Sequence, residues 1–114
     1  MIEELKQWGC DTAGAMERMV DDEEFYRECL TDVVEDPCFE SLGRALEARD
    51  VPAAFDAAHT LKGVLANLGL TQMYDATVRI VEPLRAGDDQ GLMPAYEELL
   101  RQRERLREIV ENAG

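Results

Sequence analysis

The sequence is poor in positive charge and in long apolar runs, and each shortage excludes a class of function. Twelve Lys and Arg residues stand against twenty-five Asp and Glu residues, which gives a formal net charge of −13. Binding nucleic acid or an anionic membrane requires clustered positive charge, so we expect neither partner. No stretch approaches the ~20 apolar residues that span a bilayer, and the N-terminus does not resemble a secretory signal. The composition therefore favours a small acidic domain of the cytoplasm.

Cysteine and histidine are also scarce. The three cysteines, Cys10, Cys29 and Cys38, are odd in number and form no C-x-x-C pair. A disulfide framework or a zinc site would need even numbers or close pairs, so we interpret the cysteines as small reduced hydrophobic residues on helices.

Hydrophobic residues make up 46% of the chain, which is enough for a core, and the length predicts one domain over residues 1–114.

What the sequence contains is helical periodicity along almost its whole length. Ala, Leu, Glu and Arg dominate, and no alternating strand pattern persists. The pattern predicts an all-α fold, an antiparallel four-helix bundle over about residues 22–112 with short additional helices at the N-terminus. Expected helix starts lie at Asp11, at Asp21 or Asp22, at Asp36 with Pro37 as the first helical residue, at Asp50, and at Thr71 as an N-cap.

The segment from Pro52 to Gly69 carries the most information. At about 100° per residue, its aliphatic residues form one stripe that predicts a core-facing side. His59, the only histidine of the chain, falls on the opposite side. The predicted stripe consists of Ala54, Ala57, Ala58, Leu61, Val64, Leu65 and Leu68.

The outward side of this helix is unusual for so acidic a chain. Pro52, Phe55 and Ala66 put apolar surface around His59, and an apolar patch around a reactive polar group is typical of a contact site. Gly63 follows His59 by one turn, although glycine costs a helix about 1 kcal/mol relative to alanine. We therefore expect a partner protein to approach this side closely.

One chemistry fits these residue types. A neutral imidazole is a nucleophile near neutral pH and can attack a phosphoryl group presented by another protein. Gly63 would remove side-chain bulk beside the ring, and Lys62 would supply a cation for the phosphoryl oxygens. A helix interior offers no cradle of free N–H groups, so the partner would have to bring any metal and most of the charge stabilisation.

The run from Ala58 to Gly63, followed by Asn67 to Gly69, resembles the signature of histidine phosphotransfer (HPt) domains. The resemblance implies a four-helix bundle in which His59 accepts a phosphoryl group from a receiver-domain aspartate and passes it to another receiver. It further implies that Lys62 is the charge partner and Gly63 the access glycine. The partners would be receiver domains of response regulators or hybrid histidine kinases. The domain would need no cofactor of its own, because the receiver would hold Mg²⁺.

The sequence departs from the HPt pattern at one position. Many members carry Gln or Glu near 22 residues after the histidine to hydrogen-bond the ring, whereas Val81 stands here, followed by Glu82.

Receiver contacts are expected at Phe55, Pro52, Asp56 and Ala66, around the histidine. The chain is expected to be monomeric.

The alternatives to phosphotransfer are a binding module and an enzyme. An acidic helical adaptor could bind a receiver or another signalling partner without carrying phosphate, and Val81 keeps this alternative open. A kinase, a metal-dependent enzyme or a hydrolytic enzyme is not indicated. The sequence lacks a glycine-rich nucleotide loop, and its one histidine has no clustered carboxylates beside it.

Overall fold

A computed structural model describes residues 1–113, and this part of the chain consists of helices and connecting turns, without a β-strand. The all-α prediction is confirmed. The helices are α1 (Ile2–Gln7), α2 (Thr12–Arg18), α3 (Glu23–Val34), α4 (Cys38–Glu47), α5 (Val51–Asn67), α6 (Thr71–Arg85) and α7 (Met93–Ala113). Within residues 1–113, every helix is too short or too polar to cross a membrane.

The bundle has four helical spans, the first of which is broken. Helices α3 and α4 together form the first span, and α5, α6 and α7 form the others. Contacts join α4 to α5, α5 to α6, α6 to α7 and α7 back to α3, which encloses one core. The predicted four-helix bundle is therefore confirmed. Fully buried side chains from all four spans meet in it, among them Tyr26, Leu30, Phe39, Leu42, Leu61, Leu65, Met73, Ile80, Leu99 and Leu106.

The break between α3 and α4 lies where the sequence contains Asp36 and Pro37. The Asp36 carboxylate accepts a hydrogen bond from the Cys38 N–H at 2.8 Å, so it satisfies a free donor at the start of α4. The helix begins at Cys38 rather than at Pro37, which occupies the N-cap position. The predicted boundary was therefore one residue too early, although the predicted capping carboxylate is used.

Helix α2 and its N-cap residue contact the C-terminal end of α5. The Asp11 N–H donates to the Gly69 carbonyl at 2.8 Å. The Arg18 side chain donates to the carbonyls of Asn67 and Ala66, at 2.7 and 3.2 Å. The last carbonyls of a helix have no partner within it, and a cation there complements the helix dipole. These contacts therefore fix one end of the helix that carries His59.

The other end of α5 is fixed by its N-cap and by an ion pair. Asp50 accepts a hydrogen bond from the Ala53 N–H at 3.2 Å, as its position in the sequence predicts. The neighbouring Arg49 guanidinium contacts both carboxylate oxygens of Asp89 in the connection between α6 and α7, at 3.1 and 3.0 Å. This contact links the start of α5 to the turn that follows α6.

The prediction that Thr71 caps α6 is wrong. Leu70 holds the N-cap position without a side-chain hydrogen bond, and Thr71 is already the first helical residue. The Thr71 hydroxyl instead contacts the Gly69 carbonyl at 3.4 Å. The turn between α5 and α6 is so tight that the chain enters α6 one residue earlier than its capping chemistry suggests. Gly69, with φ of 69°, supplies the left-handed residue of that turn.

Candidate functional site

Helix α5 separates a buried face from an exposed one, and His59 lies on the exposed face. Ala54, Ala58, Leu61 and Leu65 are buried in the core. Ala57 and Val64, at the edges of the predicted stripe, are only half-buried. The spacing of three and four residues between the buried positions is that of one helix face, so the remaining side of α5 is left toward solvent.

The His59 side chain is exposed at the middle of α5. Backbone N–H groups at this point are used within the helix and are not available to bind an anion. Among residues 1–113, no group hydrogen-bonds the imidazole. The ring is therefore open to a partner molecule, and its orientation has to come from packing.

That packing comes from Phe55, one helical turn before His59. The two rings stack with their centroids 5.5 Å apart and their planes 23° from parallel. On α6, the Arg85 guanidinium lies 5.2 Å from the centroid of the Phe55 ring. Arg85 also contacts the Glu82 carboxylate at 3.5 Å. An arginine, a phenylalanine and the histidine thus form a connected group across two helices.

Lys62 and Gly63 continue the same side of α5 toward its C-terminus. Lys62 is half-buried and makes no ion pair with any residue from 1 to 113. Its ammonium group is therefore not neutralised by a carboxylate in the described chain. A Cβ atom at Gly63 would meet no other helix, and no side chain beyond its chain neighbours, within 4 Å. The helix backbone at Gly63, one turn after His59, is therefore not covered by any side chain of another helix.

The four predicted contact residues do not share one environment. Pro52, Asp56 and Ala66 are exposed on α5, whereas Phe55 is half-buried and packs against the core. The structure thus brings Phe55 to the histidine itself, while the other three remain open surface. Arg85 belongs to this group and was missed from the sequence, because only the packing of α6 against α5 brings it to Phe55.

Val81 cannot make the hydrogen bond to the ring that the resemblance implies at this position. Its side chain is fully buried. Glu82 is exposed and contacts Arg85 rather than the imidazole. Residues 1–113 therefore provide no hydrogen bond that would orient the His59 ring. The ring stacks on Phe55 instead.

The three cysteine thiols are poorly reactive. Cys10, Cys29 and Cys38 are free, and burial raises the pKa of each, that of Cys10 to about 11. Protonated thiols are poor nucleophiles and poor metal ligands at neutral pH. In the described residues, no group of three or more His, Cys, Asp or Glu side chains is arranged to hold a metal ion.

Residues 24–113 match the family model described as Hpt domain, which is most of the chain and runs from the second residue of α3 to the end of α7. The chain belongs to the Hpt domain family. Hpt domains act in histidine phosphotransfer in two-component signalling. No match was found among curated proteins or among solved structures.

The Hpt match starts after the two short N-terminal helices, yet the second of them, α2, contacts the helix that carries His59. Asp11 and Arg18, both before residue 24, bind carbonyls at the end of α5. The helix that bears the histidine of this Hpt domain is thus anchored by residues outside the family match.

Proposed function

We propose that this Hpt domain is a phosphocarrier. In this role His59 accepts a phosphoryl group from an aspartate of one receiver domain and passes it to a second receiver. The exposed, solitary imidazole in the middle of α5 is the observation that carries the proposal. In the described chain it has no competing hydrogen bond, and a bare backbone stretch follows it at Gly63.

The reaction is an in-line displacement at phosphorus. The lone pair of His59 Nε2 forms the N–P bond while the bond from phosphorus to the aspartyl oxygen breaks, and the aspartate leaves as a carboxylate. The imidazole keeps the proton on Nδ1, so the phosphorylated ring carries a positive charge that makes transfer to the next aspartate reversible. The receiver supplies Mg²⁺, which neutralises charge on the transferred group.

Lys62 and Gly63 support this transfer in different ways. At about 4 Å an ammonium group and a phosphoryl oxygen attract each other by about 1 kcal/mol in water, and by more at a partly desolvated interface. That attraction can hold a phosphoryl group without making the domain an enzyme. Gly63 leaves room for the receiver surface. The domain supplies no nucleotide site in this proposal, so it is a carrier rather than a kinase.

The receiver would dock on the outer side of α5 around His59. Pro52, Asp56 and Ala66 give this side a mixed apolar and acidic surface. We propose a monomeric domain that works in the cytoplasm, where reduced thiols are stable. These two points follow from composition and remain predictions.

The test is transfer from a receiver domain that has been phosphorylated with radiolabelled acetyl phosphate. We expect label on the wild-type domain that is labile in acid and stable in base, as expected for phosphohistidine. His59→Gln should remove the label while circular dichroism and the melting temperature stay unchanged, because the side chain is exposed. Label that persists in this variant would exclude His59 as the acceptor.

The adaptor alternative predicts a different result in the same experiment. A phosphate-free adaptor would bind the phosphorylated receiver but acquire no label, and His59→Gln would change neither observation. Receiver binding without transfer, measured for the wild type against several receivers, would therefore favour the adaptor.

A further inference from the structure

We propose that Phe55 is a positioning residue that fixes the plane of the His59 imidazole, and that Arg85 holds Phe55 in place. The effect on transfer rests on the proposed function, whereas the effect on ring position does not. The inference assigns a role to the stacked group of Arg85, Phe55 and His59.

The first support is the geometry of the stack. Phe55 and His59 are four residues apart, so their side chains share one side of α5. Their centroid distance of 5.5 Å lies within the range of offset aromatic pairs, and the 23° angle keeps the two planes nearly parallel. A ring in this contact cannot rotate freely about its side-chain torsions without losing it.

The second support is the difference in burial between the two rings. Phe55 is half-buried and packs against the core, whereas His59 is exposed. The phenyl ring is therefore held by the bundle, and the imidazole rests on a fixed surface. Two exposed rings that contacted only each other would both be free to move, so neither would fix the position of the other.

The third support is that a second helix holds Phe55. The Arg85 guanidinium lies 5.2 Å from the Phe55 centroid, which is within cation–π range. Arg85 belongs to the last turn of α6, and Glu82 on the same helix contacts its guanidinium at 3.5 Å. The phenyl ring thus has the core on one side and an α6 side chain at its face.

The chemistry explains why ring orientation matters here. The attacking lone pair lies in the plane of the imidazole, so the plane must contain the line to phosphorus. A hydrogen bond to the ring would fix this plane, but Val81 is buried and residues 1–113 provide no such bond. Stacking fixes the plane and leaves both ring nitrogens free of hydrogen bonds.

The ring position can be tested by proton NMR on the unphosphorylated domain. His59 is the only histidine, so its two ring carbon-bound protons are identified directly. We expect Phe55→Leu to abolish the contacts between the rings in nuclear Overhauser spectra and to remove the ring-current displacement of the His59 signals. Phe55→Tyr should preserve both. Phe25→Leu is the matched control, since Phe25 is exposed on α3 and is 47% accessible.

The consequence for transfer can be tested with the same variants and a phosphorylated receiver. We expect Phe55→Leu to lower the rate at saturating receiver by about tenfold, with little change in the receiver concentration at half-saturation. Phe55→Tyr should restore the rate, and Arg85→Gln should lower it by a smaller factor. A merely structural role would lower the melting temperature and leave the rate per folded molecule unchanged.

Three outcomes would overturn the inference. The first is that the His59 signals stay unchanged in Phe55→Leu. The second is that Phe55→Leu changes only the half-saturating concentration, which would make Phe55 a receiver contact. The third is that Tyr fails to restore the rate while restoring the NMR contacts. A wild-type domain that accepts no label would refute the proposed function instead, and the NMR result would still decide the position of the ring.

Discussion

Two glycines inside bundle helices have opposite surroundings. Gly43 on α4 is buried, and a Cβ atom there would collide with the Tyr96 ring, whose Cζ would lie at 2.8 Å. Gly63 on α5 is exposed, and a Cβ atom there would meet no other helix within 4 Å. Both residues weaken a helix in the same way, so helix propensity cannot tell them apart. Gly43 is needed by the fold, whereas nothing in the fold requires Gly63.

The contact at Gly43 is specific. It brings Tyr96 of α7 close enough for its hydroxyl to donate to the Phe39 carbonyl at 2.8 Å. Burial raises the pKa of the Tyr96 phenol, so the donor stays protonated at neutral pH. The region between α4 and α7 is thus closed by close packing, and the region around Gly63 is left open.

The largest effect is expected for Gly43→Ala. The added methyl group has to displace the Tyr96 ring, and overpacking of this kind costs about 1–3 kcal/mol. We expect a lower free energy of unfolding in urea and a lower melting temperature. Transfer per folded molecule should be unchanged, because Gly43 faces Tyr96 inside the bundle, whereas His59 is exposed on α5. A variant as stable as the wild type would show that the fold does not need glycine at position 43.

Gly63→Ala should have the opposite signature. Stability should rise by up to about 1 kcal/mol, because alanine is the better helix former and meets no obstacle. Transfer from a phosphorylated receiver should nevertheless slow by several fold, because the methyl group intrudes on the approach to the ring. Urea unfolding and transfer kinetics on the same preparation measure the two effects. Faster transfer, or a loss of stability, would contradict the open surface.

Arg18→Met tests whether Arg18 stabilises the C-terminal end of α5, the helix that carries His59. Removing the guanidinium leaves the carbonyls of Ala66 and Asn67 without their side-chain donor. We expect a loss of about 0.5–1 kcal/mol in the free energy of unfolding, since the contact is exposed. Amide exchange should increase in the turn after α5 more than around His59. Arg27→Met on α3 is the control, and equal effects from both variants would argue against a specific anchor.

Lys62→Ala should have the smallest effect on stability and a clear effect on transfer. Lys62 pairs with no carboxylate in residues 1–113, so unfolding should change by less than about 0.5 kcal/mol. Transfer should slow, or the phosphorylated form should hydrolyse faster. The chain has one other lysine, Lys6 on α1, and Lys6→Ala is the matched control. Identical kinetics in the two variants would remove Lys62 from the site.

The periodicity of α5 explains why its faces could be predicted. A helix repeats every 3.6 residues wherever it lies, so the buried positions and the exposed His59 follow from spacing alone. The caps are local as well. Asp11, Asp22 and Asp50 each accept a hydrogen bond from a backbone N–H three residues later, as expected.

Features that depend on two helices could not be predicted. The contact between Arg85 and Phe55 requires the register of α6 against α5, which no local pattern encodes. The need for Gly43 depends on the ring of Tyr96, which is far away in the sequence. Thr71 has good capping chemistry, but the geometry of the turn before it decides where α6 begins. The predictions are thus reliable within a helix and weaker between helices.

The anchoring of α5 from outside the family match has a practical consequence. A fragment trimmed to residues 24–113 would keep the signature and the bundle but would expose the carbonyls that Asp11 and Arg18 now bind. It would also uncover the Gly69 backbone in the α5–α6 turn, which now lies against Asp11 and Ala15. The match boundary therefore leaves out residues that hold α5 in place, and the shorter fragment would report on α5 without its native anchor.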